Sequence, residues 1–88
     1  MGYQLLLEGG YSITEYFEDD VLLLREDLMG ELKAINDYQK HIDVLKSDEA
    51  KLVLEHIRDD EKEHVAELTK LIRQMDGTQE AKFKKEQL

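Results

Sequence analysis

VLLLREDLMGELKAINDYQKHIDVL, running from Val21 to Leu45, sets Val21, Leu24, Leu28, Ile35, Tyr38, Ile42 and Leu45 on alternating steps of three and four, the spacing of one face of an α-helix. LEHIRDDEKEHVAELTKLIRQM, from Leu54 to Met75, repeats the pattern through Leu54, Ile57, Leu68, Leu71 and Met75. The rungs that break the apolar run are Glu31 in the first ladder and Glu61 and His64 in the second. A carboxylate or imidazole inside a helix seam is costly unless it is neutralised, paired or bound to an ion. These three residues are therefore the candidate site, and a metal ion is the simplest partner for them.

Working outward from the ladders, the chain contains no proline, and its interior glycines are Gly30 and Gly77, so long helices run uninterrupted between Gly10 and Gly77. The reading is all-α. Ser12-Ile13-Thr14-Glu15 has the form of a capping box, with Asp19 or Asp20 as an alternative helix start. The first helix is expected to reach about Lys46. Lys46-Ser47-Asp48 then serves as the turn, with Ser47 or Asp48 as N-cap of the second helix, which ends near Asp76-Gly77. So short a connection forces an antiparallel hairpin. Residues 1–18 read as an N-terminal extension or helix start, 19–76 as the hairpin, and 77–88 as a polar tail or short helix. The all-apolar turn Val21-Leu22-Leu23-Leu24 exceeds one core face and predicts a second contact surface there. Gly30 is read as permitting a close helix approach beside Glu31.

The spacing fixes relative heights in such a hairpin. Glu31 lies sixteen residues before Ser47, while Glu61 and His64 lie fourteen and seventeen after it. At about 1.5 Å per residue the three sit at nearly one level. Glu61 and His64, three apart, share one face of their helix, and Glu31 faces them across the hairpin. A Glu on one helix with Glu-x-x-His on another is the repeating half of the di-iron carboxylate bundles, which need two such units. One hairpin supplies one unit. The expected assembly is thus a homodimer, or a higher homo-oligomer built from it, in which two hairpins form a four-helix bundle around the site. Tyr38, two turns from Glu31 on the same stripe, is a candidate hydrogen-bonding neighbour of a ligating carboxylate. His41 and His56 lie too far along their helices to join the cluster.

Composition bounds the chemistry. The 88 residues contain no cysteine, which removes thiolate zinc sites and iron–sulfur clusters and leaves carboxylate and imidazole as the strong ligands. Such a donor set favours iron, or otherwise manganese. Twenty-one acidic against twelve basic residues give a net charge of -9, which disfavours nucleic acid and anionic lipid and concentrates cations at the surface. Asp59, Asp60, Glu63 and Glu67 form an acidic outer strip, with Lys62 and Lys70 as nearby partners. Met1 to Glu8 lacks the basic start and the apolar length of a signal peptide or membrane span, so a cytoplasmic protein is expected.

Gly30-Glu31-Leu32-Lys33-Ala34-Ile35-Asn36-Asp37-Tyr38, followed by His56-Ile57-Arg58-Asp59-Asp60-Glu61-Lys62-Glu63-His64, resembles the ferritin-like superfamily, and is most similar to the two-helix encapsulated ferritins. The resemblance covers roughly Asp27 to Asp76. It implies that Glu31, Glu61 and His64 are the ferroxidase ligands and that Tyr38 neighbours the site. It implies further that two chains share a di-iron centre oxidising Fe(II) with dioxygen, in iron storage or detoxification. An encapsulin-type shell enclosing the protein in a nanocompartment is a partner implied in the same way. The chain departs from that pattern in having Gly30 and Lys33 where members carry outer carboxylates, and Asp37 where an aromatic precedes the tyrosine. Two other readings stand beside it: an acidic hairpin that only dimerises, and a rubrerythrin-like peroxidase fed by an external electron donor.

Overall fold

The computed structural model describes the backbone of residues 13–88 and the side chains from Asp19 onward. It is all-helical: α1 spans Ile13–Val44, α2 Asp48–Met75 and α3 Gly77–Lys85. The capping box proposed at Ser12 begins outside the described residues, and Asp19 and Asp20 lie inside α1 rather than at its start. Among the described residues no helix is long and apolar enough to cross a membrane.

The turn is set by its cap. Ser47 is the N-cap of α2, its Oγ accepting from the Ala50 amide at 3.1 Å, with Asp48 and Glu49 in the first turn where the helix dipole favours negative charge. α1 ends slightly earlier than expected, at Val44, and the Leu45 amide still donates to His41 at 2.9 Å. At the other end Asp76 has two duties. Its amide closes α2 on Ile72 at 2.8 Å, and its Oδ1 accepts from the Gln79 amide at 3.1 Å as N-cap of α3. Gly77, expected as a helix end, is thus the first residue of a new helix, because the aspartate before it supplies the cap that the glycine lacks. The Arg73 guanidinium holds α3 in place: it donates to Glu80 at 2.6 Å, lies 4.3 Å over the Phe83 ring and reaches the Leu88 carbonyl at 3.2 Å.

Asp76 also accepts from Arg25 of α1 at 2.7 Å. The Gln79 amide, followed by Arg25, holds its carboxyl below the ordinary carboxylate range. A depressed carboxyl contributes stability above the unfolded value and loses it as pH falls through the folded one. The melting-temperature difference between the parent and Asp76→Asn, which keeps a capping side chain but not the charge, should therefore shrink as pH drops from about 5 toward 3.

Only Val21, Ile42 and Ile72 are buried apolar residues among those described, at 3, 7 and 5% exposure. The reason is geometric. The described residues measure 57 × 33 × 14 Å, and 14 Å is little more than one helix diameter. Their radius of gyration is 18.0 Å, against about 12 Å for a compact domain of this length. A stable domain packs at least two layers around its core, and one hairpin provides a single layer. Leu22 and Leu23 are 51 and 57% exposed beside buried Val21, consistent with the additional surface anticipated at that turn.

On α1 the expected ladder is the buried seam: Val21 and Ile42 are buried, and Leu24, Leu28, Glu31, Ile35, Tyr38 and Leu45 half-buried. On α2 the seam is rotated from the expected one. Leu54, Ile57, Glu61, Leu68 and Met75 of the expected ladder stay half-buried, but Arg58, Val65 and Ile72, seven apart, are covered in place of His64 and Leu71, which are exposed. An amphipathic stripe wider than 100° holds more than one possible seam line, and α1 occupies one edge of it. Ile72→Ala, which empties the best-buried position of α2, is expected to cost about 2–4 kcal/mol in urea denaturation followed by circular dichroism.

Candidate metal centre

Glu31, Glu61 and His64 converge. One ligand atom from each lies within 4.8 Å of the other two, the only such group of three among the described residues. His64 Nδ1 stands 3.5 Å from Glu31 Oε2 and 3.5 Å from Glu61 Oε2. That spacing is too long for good hydrogen bonds, so the three groups face one point without satisfying one another. Two donors about 2.1 Å from a shared ion stand roughly 3 to 4 Å apart, so the separation of His64 from each glutamate suits a common cation.

The local sequence explains the placement. Glu61 and His64, one turn apart on α2, project side by side, and the Ser47 turn brings α1 back so that Glu31 meets them at the level anticipated from the spacing. The two glutamates are largely covered, with 25 and 18% of their side chains exposed, whereas His64 is 48% exposed. The imidazole therefore marks the open side. There a groove runs between the helices, lined by Asp27, Gly30, Glu31, Ala34, Glu61, His64 and Leu68 among others. Gly30 borders this groove and a Cβ built on it would meet nothing within 4 Å, so the close approach expected there does not occur within the chain.

The other candidates stay apart from the cluster. Tyr38 is half-buried on the α1 seam and does not line the groove. His56 faces Asp60 at 3.5 Å, and His41 is exposed. Lys62 approaches Asp59 at 3.8 Å on the exposed outer strip, whereas Glu67 lines the groove. Lys33 is turned onto Asp37 at 2.6 Å and holds that carboxyl below its ordinary range.

Two features near the site go beyond the sequence reading, which put Glu67 on the outer strip and gave Glu26 and Asp27 no role. Glu26, Asp27 and Glu67 line the groove beside the three donors. Arg58, one turn before Glu61, crosses the seam to Gln39 at 2.8 Å. The signal for the second was present, since Arg58 falls seven residues before Val65 and fourteen before Ile72.

The family model of EncFtn-like proteins matches residues 13–87, nearly the whole described chain. The chain belongs to the EncFtn-like family. This bears out the expected relationship to encapsulated ferritins. The chain is 41% identical over 61 residues to the encapsulin nanocompartment cargo protein EncC of Myxococcus xanthus (strain DK1622), an alignment covering 69% of this chain and 47% of that protein. It is 34% identical over 67 residues to the cargo protein EncB of the same strain, covering 76% of this chain and 42% of EncB. The chain thus spans less than half the length of these curated relatives. In this EncFtn-like chain the metal-donor cluster falls inside the matched region.

Proposed function

We propose that the chain is a ferroxidase: two hairpins pair through their groove faces, and Glu31, Glu61 and His64 of each hold Fe(II), which dioxygen oxidises to Fe(III). The observation that carries this reading is the convergence of two carboxylates and an imidazole, too far apart to hydrogen-bond well with one another, on one point of an open groove. Family membership supports it. Iron is here the substrate; each Fe(II) gives up one electron, and a pair supplies two to dioxygen.

The chain's own residues have three tasks. Glu31 and Glu61 provide hard oxygen donors whose charge favours the higher oxidation state of the ion. His64, on the exposed edge, completes the set and meets the incoming chain first. The apolar residues beside them, Ala34 and Leu68, exclude water when the second hairpin covers the groove, which strengthens the electrostatics within. Two chains together bring four carboxylates, about -4, which two divalent ions offset, so binding and pairing reinforce each other. The single layer with three buried apolar residues supports the same partner, because it leaves the second face of the core to be supplied from outside.

The relatives' names describe encapsulin cargo, and that likeness supports an encapsulin-type shell as the partner beyond the dimer, with the protein inside a cytoplasmic nanocompartment. Anaerobic addition of Fe(II) followed by air tests the activity. Oxidation faster than in protein-free buffer is expected, and a rate equal to that of buffer contradicts it.

A further inference from the structure

Among the cations close in sequence to the metal-binding glutamates Arg58 is the most covered, with 19% of its side chain exposed against 58% for Lys62 and 76% for Lys33. It lies three residues before Glu61 on α2, a spacing at which side chains are neighbours, with Cβ atoms about 5–6 Å apart. A partly buried carboxylate and a partly buried guanidinium at that spacing attract strongly, and the fork of an arginine suits two carboxylate oxygens. Left to itself, Arg58 would be a ready competitor for Glu61.

The structure directs it elsewhere. Arg58 Nη1 donates to Gln39 Oε1 of α1 at 2.8 Å, and Arg58 Nε donates to Asp59 Oδ1 at 3.1 Å. Gln39 is itself held, its Nε2 donating to Asp43 Oδ1 at 2.9 Å. The guanidinium is thereby drawn across the seam toward α1, while Glu61 faces His64. Gln39 is neutral, so it accepts from Arg58 without adding another charge that would itself bind metal. It reaches Arg58 only because the Ser47 turn sets the two helices in this register.

Resting on the metal reading of the site, we propose that Gln39 is a positioning residue for the centre: with Asp59, it holds the Arg58 guanidinium away from Glu61 and so keeps that carboxylate free for the cation. This is distinct from a tie that merely fastens the two helices. A tie is weakened by removing either end, and removing both does not repair it. A restraint on a competitor becomes unnecessary once the competitor is gone.

Titration of metal-free protein with Co(II) alone, followed by calorimetry, separates these cases without reference to iron oxidation. Gln39 is exposed, so Gln39→Leu is expected to fold, and it should weaken Co(II) binding about tenfold, the lower end of what lost supporting contacts cost a metal site. Arg58→Met, which puts an apolar side chain beside Val65 in the seam, should bind at least as tightly as the parent. The double variant Gln39→Leu/Arg58→Met should recover parental affinity to within about twofold, restoring most of the tenfold loss. Unchanged affinity in Gln39→Leu overturns the proposal, as does a double variant no better than Gln39→Leu. A parent that binds no Co(II) overturns the metal reading itself.

Discussion

Glu61→Ala is expected to reduce protein-dependent Fe(II) oxidation by about two orders of magnitude or more, since removal of supporting contacts alone costs metal sites about 10–100-fold and this change removes a donor. Stopped-flow absorbance after mixing the Fe(II)-loaded protein with aerated buffer measures it. Glu61 is the more covered of the two glutamates, with 18% of its side chain exposed, and no fourth donor among the described residues joins the group. Glu63→Ala, on the exposed face two residues along, should oxidise iron as the parent does. Removing a carboxylate from a partly covered cluster also removes a repulsion, so the metal-free variant should unfold no earlier than the metal-free parent. Lower activity with undiminished apo stability separates a functional cluster from a structural one.

Metal-dependent assembly is the second large effect. Without metal the chain is one helix layer of 10.3 kDa whose groove is lined by five carboxylates, Glu26, Asp27, Glu31, Glu61 and Glu67, so two copies approaching through their grooves repel. Anaerobic Fe(II) should convert this species to one of twice the mass, and a chelator should reverse the change, as read by native mass spectrometry. An ion present at 100 times its dissociation constant adds about 2.7 kcal/mol to the folded state. For a chain of this size that corresponds to a rise in melting temperature on the order of 10 °C. A dimer that forms equally well with and without metal would favour the alternative in which the polar layer only sets register.

The architecture was legible where one-dimensional spacing determines geometry. Two ladders of matching length joined at Ser47 allow only an antiparallel pair, and of the two caps the side-chain chemistry offered, Ser47 and Asp48, the helix uses Ser47. The meeting of Glu31, Glu61 and His64 followed from their similar distances to that turn. What the spacing could not supply was rotation about the helix axis. Arg58, Val65 and Ile72 form the inner edge of α2, and His64 and Leu71 the outer edge, yet both lines lie in one broad apolar stripe. Which edge meets α1 depends on packing in three dimensions. The consequence is favourable for the proposed assembly, because the rotation leaves His64 half open on the face where a second hairpin would arrive. α3 was ambiguous for a different reason: its start depends on Asp76 capping one helix while closing another, and its placement depends on Arg73 reaching both Glu80 and Phe83.

The central claim is that two hairpins jointly enclose iron between their Glu31, Glu61 and His64 side chains. Anomalous diffraction at the iron absorption edge, from crystals grown anaerobically with Fe(II), tests it most directly. The account predicts iron peaks at the interface of two chains, each bounded by these three residues and absent in Glu61→Ala. Iron bound elsewhere, or held by residues of a single chain with the groove left uncovered, would contradict it.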